Sequence, residues 1–159
     1  MFNESEKLAG VGSWIWDVEN NSWTFSDNWY TIHGLNKKSI STNELLEIAH
    51  PGDLSTIQNA LKNTEENQVP YEIEHRIIKQ DTKEIRLIKA YGKVSETKNG
   101  KASIITGAAL DITEHKNAKQ LIEEKEELFS SIYYNSPTGI FRSTPNGTVI
   151  SANPAFLAI

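Results

Sequence analysis

The sequence predicts an α+β fold: a five-stranded antiparallel sheet with helices on one face, followed by a connecting helix. Three observations lead there. Apolar residues alternate near the N-terminus and again across residues 71–112, which is the period of a strand. Between them, residues 26–64 carry apolar side chains at helical spacings, bounded by capping and breaking residues. A charged stretch without glycine or proline, Glu114 to Ile132, then follows.

Each element has its own signal. Trp14, Trp16 and Val18 alternate with Ser13, Ile15 and Asp17, giving a strand with one strongly apolar face. Asn20-Asn21 turns the chain, and Ser22 to Phe25 pairs back as a hairpin. Ser26 or Asp27 caps a short helix through His33, with Gly34 at its end. Ser41 and Glu44 form a capping box for a helix carrying Leu45, Leu46 and Ile48. His50-Pro51-Gly52 stops it, since proline disfavours helical geometry in the residue before it. Asp53 is expected to cap a longer helix whose buried stripe is Leu54, Ile57, Leu61 and Thr64.

From Pro70 the period returns to two. Tyr71, Ile73, His75 and Ile77 share one strand face. Glu72, Glu74 and Arg76 share the other, with Arg86 or Lys89 as expected cross-strand partners. Asp81-Thr82-Lys83 turns into Glu84 to Ser95, Asn99-Gly100 marks a hairpin, and Ala102 to Ile112 is the last strand of the meander. In the charged stretch, Ala118, Leu121, Leu128 and Ile132 fall on heptad a/d positions, with Lys125 interrupting them. Thr138 to Ser143 and Thr148 to Ser151, joined through Asn146-Gly147, read as a further hairpin.

Composition removes several function classes. The 159 residues contain no cysteine, which excludes disulfides, thiolate zinc sites and cysteine chemistry. The net charge of −5 argues against a nucleic-acid partner. There is no phosphate-binding glycine motif, no metal-ligand cluster and no apolar run of the ~18 to 20 residues that span a bilayer. Met1 to Gly10 lacks the basic start and apolar stretch of a signal peptide. The expected compartment is the cytoplasm, whether or not a parent protein is anchored elsewhere.

Four groups of residues together resemble the PAS domain family, in the branch found in bacterial and archaeal sensor proteins. Gly12-Ser13-Trp14-Ile15-Trp16-Asp17 is similar to that branch's opening strand. His50-Pro51-x-Asp53 is similar to its helix junction, and Glu74-His75-Arg76-Ile77 to its Glu-aromatic-Arg-aliphatic strand. Gly107 through Asp111-Ile112-Thr113-Glu114 resembles its Asp-Ile-Thr exit signature. Two departures stand out: Asp81-Thr82 where the family has Asp-Gly, and Leu87 where a tryptophan often follows the arginine. Leu128-Phe129, Ser136-Pro137-x-Gly139-Ile140, Asn146-Gly147 and Asn153-x-x-Phe156 resemble the start of a second copy. The implied organisation is a PAS domain over 1–113, a connecting signalling helix over 114–132, and a truncated second domain over 128–159.

The resemblance implies a sensory module of a multidomain protein, first a sensor histidine kinase and second the sensor part of a diguanylate cyclase. The fragment itself is expected not to be an enzyme. As a ligand sensor, the domain would line its pocket with Trp14, Trp16, Ile73, His75, Ile88, Ile105 and Gly107. As a ligand-free dimerisation or docking scaffold, it would pack those same side chains on each other. An enzyme built on this fold is a third hypothesis. Asp111, Ile112, Thr113 and Glu114 would relay motion from the last strand into the connecting helix.

The expected partners are a second copy, through the connecting helix and N-terminus, and a small molecule. No cofactor is expected: flavin–cysteine chemistry is ruled out by composition, and His33 and His50 lack a haem signature. His33, His50 and His75 read first as locally hydrogen-bonded residues, the last facing the helices. His115 lacks the surroundings of a phosphoacceptor.

Overall fold

The computed structural model describes residues 3–36 and 39–158; the outermost domain bounds, residues 1 and 159, lie outside them. The chain divides into two compact units, Met1–Thr113 and Glu114–Ile159. Among the described residues no helix is long and apolar enough to cross a membrane.

The first unit opens with α1 (Asn3–Ala9) and the hairpin of β1 (Val11–Asp17) and β2 (Ser22–Phe25). Three helices follow: α2 (Asp27–His33), α3 (Thr42–Ile48) and α4 (Leu54–Asn67), the last preceded by a 3₁₀ turn at Pro51–Asp53. The meander β3 (Tyr71–Ile78), β4 (Ile85–Lys98) and β5 (Lys101–Asp111) completes one antiparallel sheet in the order β2-β1-β5-β4-β3. The first and last strands of the unit are therefore neighbours at its centre.

The core lies between this sheet and α2 to α4. Trp14, Trp29, Ile48, Ile77, Ile88 and Ile105 are buried there, while Ile15, on the opposite face of β1, is 45% exposed. One row across the sheet explains two glycines. Trp14, Gly107, Gly92 and Tyr71 are successive partners across β1, β5, β4 and β3. The Trp14 and Tyr71 rings reach toward each other over the two glycines, with centroids 6.5 Å apart. A Cβ on Gly107 would collide with the Trp14 indole and the Tyr91 carbonyl, and one on Gly92 with the Tyr71 ring.

The caps of the first helices follow the expected chemistry. Ser26 caps α2 and Gly34 ends it with a left-handed φ of 72°. Ser41 and Glu44 form both halves of a capping box on α3. Asp53 departs from expectation: its side chain caps nothing, because an arginine holds it. Arg86 also departs. It stands opposite Ile77, not on the Glu72–Glu74 face, whereas Lys89 pairs with Glu72 at 2.8 Å.

The second unit is entered along α5 (Thr113–Asn135), which starts one residue earlier and ends three residues later than expected. It continues into a short hairpin, β6 (Phe141–Ser143) and β7 (Val149–Ala152), and ends in α6 (Pro154–Leu157). β6 is three residues shorter than the alternation implied, β7 keeps its expected length one residue further on, and the register shifts between Arg142 and Ser143.

Candidate functional site

A cavity of about 80 Å³ lies between the sheet and α2 to α4. The sheet lines it with Trp14, Tyr71, His75, Ile77, Ala90 and Ala109. The helices add Trp29 and His33 from α2, Leu45 and Ile48 from α3, and Ile57 and Leu61 from α4. Its volume is well below the roughly 300 Å³ at which cofactor- and drug-sized sites begin.

Two histidines give this apolar space its polar character. His33 is 4% exposed and stacks on Trp29, with ring centroids 3.7 Å apart. Its Nδ1 lies 2.7 Å from the Trp29 carbonyl oxygen. A carbonyl only accepts, so Nδ1 carries the proton. Burial, against the favourable effect of that hydrogen bond, pushes the imidazole down to about 4, so the ring is neutral at pH 7. His75, half-buried on β3, is lowered in the same direction by burial. The Trp23 indole N–H, also at the cavity, is buried and finds no acceptor among the described residues.

Of the pocket residues expected from sequence, Trp14 and His75 line this cavity. Trp16, Ile73, Ile88, Ile105 and Gly107 are not among its lining residues. Trp16 stacks on Trp23 at 5.0 Å. Ile105, opposite Trp16, and Ile88, opposite His75, are fully buried in the core. Gly107 lies under the Trp14 ring. Side-chain alternation chose the right face but not the position along each strand. The helical half of the lining went unrecognised, although Trp29 and His33 stand four residues apart and so share one side of α2.

The second constellation is where the sheet ends. The Asp111 carboxylate accepts from the Thr113 backbone N–H at 3.0 Å and its hydroxyl at 2.6 Å. Its other oxygen accepts from Arg86 Nε at 2.8 Å. The Thr113 hydroxyl oxygen in turn accepts from the Leu87 N–H at 2.8 Å, and the Ile112 N–H donates to the Leu87 carbonyl at 2.9 Å. Burial raises the Asp111 carboxyl, but the hydrogen bonds from Thr113 and Arg86 outweigh it and leave it below the usual range. Asp111, Ile112 and Thr113 thus tie the end of β5 to β4 at the first residue of α5. Glu114 follows, exposed, in the helix's first turn.

Two sequence motifs turn out to be one contact. Asp53 accepts from Arg76 three times: from its backbone N–H at 2.7 Å, Nε at 2.9 Å and Nη2 at 2.8 Å. The arginine holds the Asp53 carboxyl far below the usual carboxylate range. Beside it, the His50 N–H donates to the Arg76 carbonyl and the His50 Nδ1 accepts from Gly52 N–H. The junction before α4 is thereby pinned to the C-terminal half of β3.

The sequence profile of the PAS fold matches residues 22–109, which covers β2 through most of β5. The chain belongs to the PAS fold family. Its curated relatives include the hybrid signal transduction histidine kinase I of Dictyostelium discoideum, 25% identical over 149 residues and 91% of this chain. Another is the probable diguanylate cyclase DgcE of Escherichia coli, 24% identical over 127 residues and 78% of this chain. These matches span 8% and 11% of those relatives' lengths.

Among solved structures, a sensory box histidine kinase/response regulator from Burkholderia thailandensis aligns with a TM-score of 0.64 at 22% identity. The alignment covers 81% of this chain and 97% of that one. The N-terminal domain of a diguanylate cyclase with a PAS/PAC sensor from Marinobacter aquaeolei aligns at 0.60 and 18% identity, over 67% of this chain and 98% of that one. These last two likenesses bear on the fold. The first unit is thus a PAS domain, related in sequence to segments of a histidine kinase and a diguanylate cyclase.

Proposed function

We propose that this PAS domain senses a small ligand or a docked partner and hands the change to α5, within a longer protein whose output is a histidine kinase. A diguanylate cyclase is the alternative output. The observation that carries the reading is the hydrogen-bonded exit node. A shift of β5 relative to β4 moves the Asp111–Thr113 unit against Arg86 and Leu87, and Thr113 is already the first residue of the helix. Few kcal/mol are needed to tip such an equilibrium from mostly off to mostly on.

The cavity supports a ligand of few heavy atoms. Its walls are apolar, and the orphan Trp23 N–H calls for an acceptor. The packed aromatic floor supports the second reading equally, a scaffold whose core is filled by its own side chains. Leu121, Leu128 and Ile132 are each more than half exposed on α5, and we assign them to a helix pair in a homodimer, with the N-terminus joining the contact. The proposed setting is the cytoplasm.

The natural sequence has no cysteine, so single spin labels are clean. Leu121→Cys and Leu128→Cys, labelled and measured by double electron–electron resonance, should each give one short interspin distance. Asp111→Ala should shift or broaden it. A monomer at all concentrations, or distances indifferent to Asp111, would defeat the relay. Native mass spectrometry of the purified protein separates ligand sensor from scaffold by a co-purifying small molecule.

A further inference from the structure

The two units share a hydrogen-bond pattern that neither family resemblance nor fold alone describes. In the first, the Ser26 hydroxyl accepts from the Ser13 N–H at 3.0 Å and the Trp29 N–H at 3.3 Å, while the Ser26 N–H donates to the Ser13 carbonyl. In the second, the Asn153 Oδ1 accepts from the Ile140 and Phe156 N–H groups, both at 2.9 Å, while its own N–H donates to the Ile140 carbonyl. The residue pairs 13 and 140, 26 and 153, and 29 and 156 keep one constant offset. Trp14 opposite Phe25 and Phe141 opposite Ala152 keep it too. So do Gly12 against the Trp29 backbone and Gly139 against that of Phe156.

The donor half of the pattern is divided differently. In the first unit it belongs to Asn28, whose Nδ2 donates to the carbonyls of Glu6 in α1 (3.3 Å) and Val11 (2.6 Å). In the second, Asn153 does this as well. Its Nδ2 donates to the carbonyls of Tyr133 in α5 (2.8 Å) and Thr138 (3.0 Å). Glu6 to Tyr133 and Val11 to Thr138 are again the same offset, and at the position equivalent to Asn28 stands Ala155. Asn153 is fully buried and its side chain makes four hydrogen bonds, whereas Ser26 and Asn28 share the same four.

We propose that Asn153 is a positioning residue that clamps the end of α5 onto the second unit, doing alone what Ser26 and Asn28 do together for α1. It follows that α1 and the last turns of α5 are equivalent incoming helices, and that residues 128–159 open a second domain of the same fold. The helix carbonyls of Glu6 and Tyr133 are the gripped points. This rests on the reading that helices carry the signal into and out of these modules, since a clamp on an incoming helix is where a module would receive motion.

Hydrogen–deuterium exchange on the whole 159-residue protein tests it. Asn153→Ala should speed exchange of residues 131–140 and of Phe156 by about five- to thirtyfold, the factor that losing one or two net hydrogen bonds implies, with residues 11–111 unchanged. Asn153→Ser should keep the Ile140 and Phe156 amides protected yet free the end of α5. Adding Ala155→Asn to Asn153→Ser should restore protection there, because it transplants the first unit's division of labour.

Should Asn153→Ala unfold the second unit entirely, the reciprocal change remains decisive. Ser26→Asn with Asn28→Ala should hold residues 4–9 as the natural pair does, whereas Asn28→Ala alone should release them. The clamp is overturned by a double variant that protects no better than its single parent in either unit, or by an Asn153→Ala protein with unchanged exchange at 131–136. Loss of the spin-label response with these patterns intact would sink the relay and spare the clamp.

Discussion

Removing the Asp111 carboxylate is the perturbation that most directly interrogates the exit node. Asp111→Ala deletes the acceptor for the Thr113 N–H and hydroxyl and the partner of Arg86. Loss of a helix-cap acceptor costs about 1 kcal/mol. The ion pair is intermediate in burial, with side chains 18% and 19% exposed, so its loss falls between the ~0–1 kcal/mol of surface pairs and the ~3–5 kcal/mol of buried ones. A total of about 2–3 kcal/mol follows. Arg86→Met keeps the apolar stem and should cost about 1–2 kcal/mol.

Because the two share one bond, the double variant should cost about 1–2 kcal/mol less than the singles together. All four tryptophans, at 14, 16, 23 and 29, lie in the PAS domain. Urea unfolding followed by tryptophan fluorescence therefore reports that domain without interference from the second unit. Additivity within ~0.3 kcal/mol, or a single-variant cost under ~0.5 kcal/mol, would show that the node carries no energy and that nothing mechanical passes through it.

Three further outcomes are expected. Gly107→Ala should cost about 2–3 kcal/mol in the same assay, since its Cβ meets a backbone carbonyl as well as the Trp14 ring; a neutral change would mean that β1 and β5 can part without penalty. His33, with a folded value of about 4 against 6.5 unfolded, takes up its proton first in the unfolded chain. Its contribution is complete above pH 6.5 and drains away toward pH 4, on the order of 3 kcal/mol in all. Urea midpoints from pH 7.5 to 4.5 should fall less steeply in His33→Gln, His75 supplying the remaining slope, and equal slopes would refute it. Lys83, at a φ of 59° in the turn before β4, should yield about 0.5 kcal/mol of added stability as Lys83→Gly; a loss of that size would show that the turn prefers its side chain.

Much of the domain could be read from its residues because the signals were local. Alternation at Trp14 and Trp16, the Ser41–Glu44 box and Asn99-Gly100 each concern neighbours in sequence. What escaped was long-range. Asp53 looked like a cap and Arg86 like a strand-face partner of glutamates, because the pairs Asp53–Arg76 and Arg86–Asp111 depend on strand register and helix placement. Register also explains the pocket. Ile88 and Ile105 have the same facing as Trp14, yet they sit where the core is filled, and the helices, not the sheet, determine where space remains. The recurrence centred on Asn153 was visible only in part, since Ser26 and Asn153 differ in type and only their hydrogen bonds agree.

The 23 residues of α5 also set an angle. Each residue of an α-helix advances the chain by about 1.5 Å and turns it by about 100°. One residue added between Thr113 and Tyr133 would swing everything downstream most of a third of a revolution, whereas seven would return it almost to its starting azimuth. If α5 carries the proposed relay, that periodicity acts as a gear ratio: insertions of seven residues should preserve the signal and insertions of one should lose it.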